Sequence, residues 1–407
     1  MPSPTIARTD WAELQVEDLL SVPLVSEFVF RSPKHNDPDE KEVIDHLIVH
    51  RQQSIIISQK AQDDPEKRSV SRNELWVFKN IQNALKPIRG VIRNPGDRPK
   101  WCEHPRRGRV EFDPLPPIIH GIALAETRHP VDLQPAAAEL PLEYLCVPIT
   151  YLSINDFLNL VVQLRTIPEV LGYLNARRTL PVAALHTIGD EKPLFELYLT
   201  NGGNLDGCTG HADARRAVET HADLVEDALA RNAEYRYYSG LMEYVADCLA
   251  TRDPEYAQGL SDEARALFDP DGQRKNYIIL QEILTDLRLR ERSELGRALH
   301  TVSDRVSGQP QGIAFQAAHF DGRDWVFLFV ASKSCDKSTL FRIVQGLTRG
   351  ALAHYQKSNC LVIVDRDGEH YDLALSRPDY QPTAEDAAIG EKYFGQLRMS
   401  TVDVSRL

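Results

Sequence analysis

The sequence predicts an α/β protein with a helical middle and a second, smaller α/β domain at its C-terminus. Runs of β-branched residues alternate with segments of helical periodicity early in the chain and again after residue 307, and the acidic sequence before that point has helical periodicity alone. The 407 residues suffice for two or three domains, each with its own core. The predicted divisions are an α/β domain at 1–130, a mixed α/β connecting region at 131–203, an acidic helical region at 204–306 and a C-terminal α/β domain at 307–407.

The composition favours a cytoplasmic protein. Six cysteines are scattered without a CxxC pair, which is typical of reduced thiols rather than of disulfides or a zinc ribbon. The N-terminus has no apolar signal core and no run approaches the length of a membrane span, so no membrane partner is expected. The net charge of −12 repels nucleic acid overall, so a nucleic-acid site requires a local basic patch.

The N-terminal part shows the order helix, three strands, helix, strand. Pro23 is expected to end the first helix, and Pro87 is expected to end or kink the second. Two β-rich runs flank the polar pair Arg51-Gln52, which predicts an antiparallel hairpin with a tight turn. The predicted elements are helix Trp11–Leu20, strand Val25–Phe30, hairpin strands Val43–His50 and Gln53–Lys60, helix Arg72–Lys86 and strand Ile118–Ala125.

The register of this hairpin brings three polar side chains together at its open end. If the two turn residues form the loop, Asp45 lies directly across from Ser58. Side chains alternate faces along a strand, so Ser58 and Lys60 point to the same side as Asp45. Leu47 and Ile56 share that side, and a carboxylate and an ammonium on a mostly apolar face require a specific reason.

These residues resemble the PD-(D/E)XK nuclease superfamily, in which a hairpin carries one acid and then an acid-x-Lys motif. Asp45 takes the place of the first acid and Lys60 that of the lysine, whereas Ser58 stands where the family has Asp or Glu. The phrases Glu42-Val-Ile-Asp45 and Ile-Ile-Ser58-Gln-Lys60 are similar to an uncharacterised bacterial subgroup. The resemblance implies an αβββαβ core, Mg²⁺ or Mn²⁺ as cofactor, and nucleic-acid cleavage in defence against phage.

The resemblance also implies a set of site residues. Asp45 would hold the metal, Lys60 would orient or deprotonate the attacking water, and Ser58 would complete the catalytic set. Glu27, in the strand ahead of the hairpin, would supply the second metal-binding carboxylate that Ser58 lacks. The alternative for Glu27 is a surface position on an edge strand.

The stretch from Lys86 to Arg109 is the strongest local concentration of positive charge, and Trp101 within it could stack on a base. Contacts to phosphates from this loop would give affinity without sequence specificity. The alternative is a solvated loop that balances an acidic chain. The predicted nucleic-acid-binding residues are Lys79, Arg93, Arg98, Lys100, Arg106, Arg107 and Arg109.

The C-terminal part repeats the order strand, lysine, helix, strand. The strand Trp325–Lys333 ends in Ser-Lys, and a helix at Ser338–Gln356 and a strand at Leu361–Asp365 follow. This order suggests a second, degenerate nuclease-like half. No acid lies opposite Lys333, so no metal is expected there, and a role in binding or self-association as a homo-oligomer is favoured.

Three functions remain open from the sequence. The first is a metal-dependent nuclease that acts on DNA or RNA. The second is a nuclease-like protein that has lost catalysis and binds nucleic acid or a protein partner in a defence complex. The third is a scaffolding subunit in which Asp45 and Lys60 form a half-buried ion pair of little value to stability.

Overall fold

The chain folds into two compact units, residues 1–232 and 233–407, each described separately below. The structure is a computed structural model that describes residues 22–35, 42–62, 69–105, 107–112, 114–250, 270–366, 368, 370–376, 380–395 and 400–402. The predicted helix at 11–20 therefore lies outside the described residues. In the described ranges no helix is both long enough and apolar enough to cross a membrane.

A mixed six-stranded sheet forms the centre of the first unit. Its strand order is β1-β2-β3-β6-β9-β8, in which the β3–β6 and β6–β9 pairs are parallel and the others are antiparallel. Two further pairs, β4–β5 and β7–β10, form small two-stranded sheets. The strands are β1 (Val29–Arg31), β2 (His46–His50), β3 (Gln53–Lys60), β4 (Trp101–His104), β5 (Gly108–Glu111), β6 (Ile118–Ala125), β7 (Val131–Asp132), β8 (Glu143–Tyr144), β9 (Val147–Ser153) and β10 (Thr187–Ile188).

The predicted hairpin is confirmed in its turn and in its register. His50 pairs with Gln53 and His46 pairs with Ile57, so the two residues between the strands form the whole loop. Arg51 has a φ of 54°, the left-handed conformation that such tight hairpin turns require. Asp45 directly precedes β2 and therefore lies at the open end, as the register predicts.

Helices cover both faces of this sheet. Leu47 and Ile56 face helix α2 (Val70–Arg93), whose apolar side includes Val77 and Ile81. Ile48 and its neighbours on the opposite face pack against helices α3 (Ile154–Leu164) and α4 (Ile167–Arg177). Alternate residues of the hairpin thus belong to two different cores, which fixes the register because a one-residue slip would exchange the two faces.

Pro87 does not end its helix, and the helix that Pro23 is expected to end lies outside the described residues. Pro23 begins a short helix, α1 (Pro23–Ser26), at whose first turn a missing N–H is harmless. Pro87 lies inside α2, which continues to Arg93. The buried side chains Ile88 and Val91 after the proline pack into the core, and this burial outweighs the lost backbone hydrogen bond.

The remaining helices of the first unit follow α4 in the chain, and β10 lies between the first two of them. Ser153 caps α3, since its Oγ accepts a hydrogen bond from the backbone N of Asp156 at 3.0 Å. These helices are α5 (Val182–Leu185), α6 (Lys192–Thr200) and α7 (His211–Thr220), and the long helix α8 (Ala222–Ala250) follows them in the chain.

The second unit contains a five-stranded sheet in the order β14-β13-β12-β11-β15. In this sheet, as far as it is described, β12 and β13 pair in parallel and the other neighbours pair antiparallel. The predicted helical middle and C-terminal α/β region are both confirmed at this level. The elements are α9 (Pro270–Asp286), α10 (Leu289–Ser307), β11 (Gly312–His319), β12 (Trp325–Lys333), α11 (Lys337–Tyr355), β13 (Asn359–Arg366), β14 (His370–Leu375), α12 (Ala384–Phe394) and β15 (Ser400–Val402).

Candidate active site

One carboxylate oxygen of Asp45 accepts two hydrogen bonds and also lies close to a lysine ammonium. Its Oδ2 accepts hydrogen bonds from the Ser58 hydroxyl at 2.9 Å and from the backbone N of Gln59 at 2.5 Å. The Nζ of Lys60 lies 3.7 Å from the same oxygen. Among the described residues, no hydrogen bond to Oδ1 is present, so this second oxygen is the one able to bind a further group. We call Asp45, Ser58 and Lys60 the Asp45 cluster.

The Asp45 cluster is neither fully buried nor freely exposed. The Lys60 side chain is 35% exposed and that of Asp45 is 16% exposed, whereas Ser58 is completely buried. Lys60 is the last residue of β3 and pairs with Ala125, the last residue of the parallel strand β6. The cluster therefore lies where the parallel strands of the sheet end, the edge at which α/β proteins commonly bind ligands.

Glu27 does not join this cluster, and its predicted position in a strand is wrong. It lies in the turn between α1 and β1, where the backbone O of Phe28 accepts a hydrogen bond from Val49 N at 2.9 Å. Glu27 therefore lies beside His50, at the turn end of the hairpin. His50 is five residues from Asp45, so Glu27 is roughly 16 Å from Asp45 at about 3.3 Å per strand residue. Its side chain is 1% exposed, so the alternative of a surface glutamate is wrong as well.

A polar network that the sequence did not reveal continues from the same edge of the sheet. The amide Nε2 of Gln62 donates hydrogen bonds to Asn73 Oδ1 at 2.6 Å and to the backbone O of Glu126 at 3.1 Å. Asn73 Nδ2 lies 3.4 Å from the hydroxyl of Thr127, and Glu126 Oε2 accepts from Gln62 N at 2.8 Å. These contacts fix the segment after Lys60 against the first turn of α2. They hold the lysine's backbone in place.

Three basic residues, Lys34, Lys100 and Arg109, lie around Trp101 beside this edge. We call these four residues the basic cluster. Lys34 forms isolated bridges to Glu42 and to Trp101, and therefore joins β4 to the segment that precedes Asp45. The Lys34 ammonium and the Arg109 guanidinium lie 5.4 Å and 4.1 Å from the centre of the Trp101 ring. At strand spacings, Lys34 is roughly 10 Å from Asp45.

This arrangement corrects the role predicted for Trp101. The ring is 7% exposed and contacts a cation, so it is not available to stack on a base. The ring instead attracts the Lys34 and Arg109 cations to its π surface, and this attraction holds the two side chains close to the ring. Lys34 itself was not predicted, because its proximity depends on a bridge between residues 67 positions apart.

The other predicted basic residues are dispersed. Arg107 is half-buried and structural, since its Nη1 donates to the backbone O of Glu27 at 3.1 Å and its guanidinium lies 5.6 Å from the Phe30 ring. Lys79 is exposed on α2 and Arg93 is exposed in its last turn, roughly 20 Å further along the helix at about 1.5 Å per residue. Arg98 is half-buried, and Arg106 lies outside the described residues.

Histidines buried in the sheet are held neutral. Burial lowers the pKa of His46, the residue after Asp45, to about 4, and the nearby Asp45 carboxylate offsets part of this shift. Burial likewise lowers the pKa of His120, whose Nε2 lies 2.8 Å from the Thr150 hydroxyl, to about 4. His46 points away from the Asp45 face because neighbouring strand residues alternate, so it is no ligand for a cation at Asp45.

The donor set restricts what cation the Asp45 cluster can hold. No group of three His, Cys, Asp or Glu side chains suited to a metal occurs among the described residues. Mg²⁺ binds to hard oxygen atoms and is often held by one or two carboxylates together with waters and substrate phosphates. Oδ1 of Asp45 provides one such carboxylate oxygen, so the residues present fit Mg²⁺ or Mn²⁺ as a weakly held ion and not as a tightly bound resident one.

Comparisons with protein-family models, with curated proteins and with solved structures gave no match to this chain.

Proposed function

We propose that the first unit is a PD-(D/E)XK-like domain that acts on the phosphodiester backbone of nucleic acid, with Mg²⁺-dependent hydrolysis as its activity. One observation carries the proposal: Asp45 and Lys60 converge at the open end of the hairpin, beside the basic cluster. A carboxylate and an amine kept together at the edge of a sheet, next to surface cations, suit a phosphate-containing substrate.

The order of elements supports the nuclease-like fold. After β1, β2 and β3, helix α2 crosses over, and β6 then returns parallel to β3. The hairpin β4–β5 is an insertion in this crossover; it carries Trp101 and Arg109 of the basic cluster, and Lys100 directly precedes it. The insertion thus adds positive charge near the Asp45 cluster without altering the sheet.

Each residue of the Asp45 cluster has a distinct proposed role. Ser58 and the backbone of Gln59 orient the Asp45 carboxylate through Oδ2, so that Oδ1 remains available for a cation and its bound substrate phosphate. A bound Mg²⁺ would neutralise charge on the phosphate and lower the pKa of a bound water. Lys60 stabilises the negative charge that develops and positions the attacking water.

The basic cluster has a binding role in the proposal. Arg109 and Lys100 are exposed, and Lys34 is half-buried between them and the Asp45 side of the sheet. Their contacts with successive phosphates would position the backbone without reading its sequence. The resemblance implies such an activity in bacterial anti-phage defence in the cytoplasm, with a protein partner in a defence complex.

A second candidate is nucleic-acid binding without hydrolysis. It is favoured by the position of Glu27, which leaves the Asp45 cluster with a single carboxylate among the described residues. The Ser58 hydroxyl donates a hydrogen bond to Asp45 and brings no negative charge. In both candidates the basic cluster binds the nucleic acid. In the second candidate the bound nucleic acid is not cleaved.

The second unit has the features of a degenerate copy of the nuclease-like domain, which supports the nuclease-like fold proposed for the first unit. Its antiparallel pair β11–β12, helix α11 and parallel strand β13 repeat the order of β2, β3, α2 and β6. Lys333 ends β12 as Lys60 ends β3, and its Nζ donates to the backbone O of Ser307 at 2.7 Å. Ala331 and its partner Ala314 occupy the positions of Ser58 and Asp45, so this copy has no carboxylate there.

The test is incubation of the full chain with plasmid, linear duplex DNA and RNA, with Mg²⁺, Mn²⁺ or EDTA. We expect cleavage in Mg²⁺ or Mn²⁺ that EDTA abolishes, and losses of at least about 100-fold for Asp45→Ala and Lys60→Ala. Lys192→Ala, at an exposed lysine on α6, is the matched control and should cleave normally.

The outcomes separate the candidates. Binding without cleavage under any metal condition selects the second candidate. Cleavage that persists in both Asp45→Ala and Lys60→Ala contradicts the site assignment, and neither binding nor cleavage contradicts both candidates. Circular dichroism of each variant establishes that it is folded.

A further inference from the structure

The second unit contains a cavity of about 610 Å³ between helix α11 and the edge of its sheet. The volume falls within the range typical of sites for small molecules. One wall is a continuous face of α11, formed by residues three or four positions apart. These residues are Lys337, Leu340, Phe341, Val344, Thr348 and Arg349.

The opposite wall is the sheet surface that α11 leaves uncovered. Val362 and Val364 of β13 form the buried part, and Ala374 of the edge strand β14, which pairs with Val362 and shares its face, forms the outer part. Phe341, on the helix side, is 41% exposed, a large fraction for a phenylalanine that lines an apolar cavity. An apolar body that entered here would cover these side chains and remove them from water.

The charged residues of the cavity are mostly positive, in contrast to the chain as a whole. Lys337, Arg349 and Arg366 line it together with one acid, Asp372, whose Oδ2 lies 2.7 Å from Arg366 Nε. That close pair compensates one cation. Among the described lining residues, three cations thus occur with one acid, although the net charge of the chain is −12.

Arg349 is the cation best placed to meet a ligand. Its guanidinium lies 5.7 Å from the ring of Tyr380, at the end of the cavity. The nearby carboxylate of Asp386 is already bonded: it accepts from the backbone N and the hydroxyl of Thr383, each at 2.7 Å, and from Tyr380. Asp386 is thus the N3 residue of the capping box of helix α12, and the nearby Arg349 guanidinium is one of the groups that lower its pKa.

We propose that this cavity binds a small amphipathic anion, an acyl or aryl carboxylate whose apolar body packs between Phe341 and β14 and whose acid group contacts Arg349. The apolar walls require the apolar body, and the positive lining favours an anion over a neutral or cationic molecule. The face from Lys337 to Leu352 is roughly 22 Å long at about 1.5 Å per residue, enough for an extended twelve-carbon chain.

The probe is dodecanoate, titrated into the full chain by isothermal calorimetry below its micelle concentration, with dodecan-1-ol and dodecylamine as neutral and cationic analogues. We expect one saturable site for dodecanoate, with affinity at least about tenfold higher than that of dodecylamine. Phe341→Ala should weaken the acid and the alcohol alike, because it removes apolar contact and no charge.

Two arginines on the same helix provide a matched pair. Arg349→Gln should weaken dodecanoate by about five- to tenfold and leave dodecan-1-ol unchanged, as loss of one charge-assisted contact predicts. Arg342→Gln, at an exposed arginine outside the cavity, should bind like the unmodified chain. Thermal unfolding by circular dichroism shows whether each variant is folded.

Several results would overturn the proposal. They are absence of dodecanoate binding, equal affinities for dodecanoate and dodecylamine, or equal effects of Arg349→Gln and Arg342→Gln. Binding that exceeds one equivalent and survives Phe341→Ala would show general adsorption and would overturn it too.

Discussion

Separate substitutions of Asp45 and Lys60 show whether Lys60 stabilises the fold. If it does not, its place beside Asp45 is better explained by a role in catalysis. Asp45→Ala removes the acceptor of the buried Ser58 hydroxyl and of the Gln59 backbone N–H. Lys60→Met retains most of the apolar stem of the side chain and removes only the ammonium. The two substitutions therefore remove very different interactions from the same cluster.

The structure sets the expected magnitudes. Loss of the acceptor for two donors should lower the free energy of unfolding by roughly 2–4 kcal/mol in Asp45→Ala. The Lys60 Nζ lies 3.7 Å from Oδ2 and its side chain is 35% exposed. A partly exposed pair at this distance contributes at most about 1 kcal/mol, so Lys60→Met should be nearly as stable as the unmodified chain.

The assay is equilibrium urea unfolding followed by tryptophan fluorescence in a Trp325→Phe background. This background leaves the fluorescence to tryptophans of the first unit, where Trp76 and Trp101 are described. A fall in the free energy of unfolding in Lys60→Met as large as that in Asp45→Ala would refute the reasoning, since it would make Lys60 a structural partner.

Two further predictions concern stability. Because burial lowers the pKa of His46 and His120 to about 4, the unfolded chain takes up protons first as the pH falls through about 6.5. Stability is then fully present above that pH and falls by roughly 2 kcal/mol per histidine by pH 5; a urea midpoint equal at pH 8 and pH 5 would contradict this. Gly296→Ala should lower the free energy of unfolding of the second unit by at least about 2 kcal/mol, since its Cβ would lie 1.9 Å from the backbone O of Tyr238. Gly346→Ala, which meets no atom within 4 Å, is the control, and equal midpoints for both variants in thermal unfolding would exclude the close approach.

The hairpin could be predicted from sequence because its determinants are local. The polar two-residue turn between two β-rich runs fixes the register, and the register fixes the face of Asp45. Convergence of Ser58 and Lys60 on Asp45 follows from that register alone. The α/β order around the hairpin depends on equally local periodicities.

Features that depend on distant contacts could not be predicted in this way. The apolar run from Val25 to Phe30 has the composition of a strand, yet its first half forms the end of α1 and a turn, which moves Glu27 away from Asp45. Pro87 is tolerated because the helix beyond it has a core to pack on. The bridge from Lys34 to Trp101 joins segments whose proximity no local pattern indicates.

The central claim is that nucleic acid binds beside Asp45, and salt-dependent binding of a fluorescent duplex in EDTA tests it most directly. We expect the triple variant Lys34→Gln, Lys100→Gln and Arg109→Gln to bind more weakly, with a log–log salt slope smaller by about 2.7 if each residue contacts one phosphate. A control triple at exposed cations elsewhere, Lys192→Gln, Arg216→Gln and Arg290→Gln, should bind normally. Unchanged affinity and slope in the first triple variant, or equal losses in both, would contradict the claim.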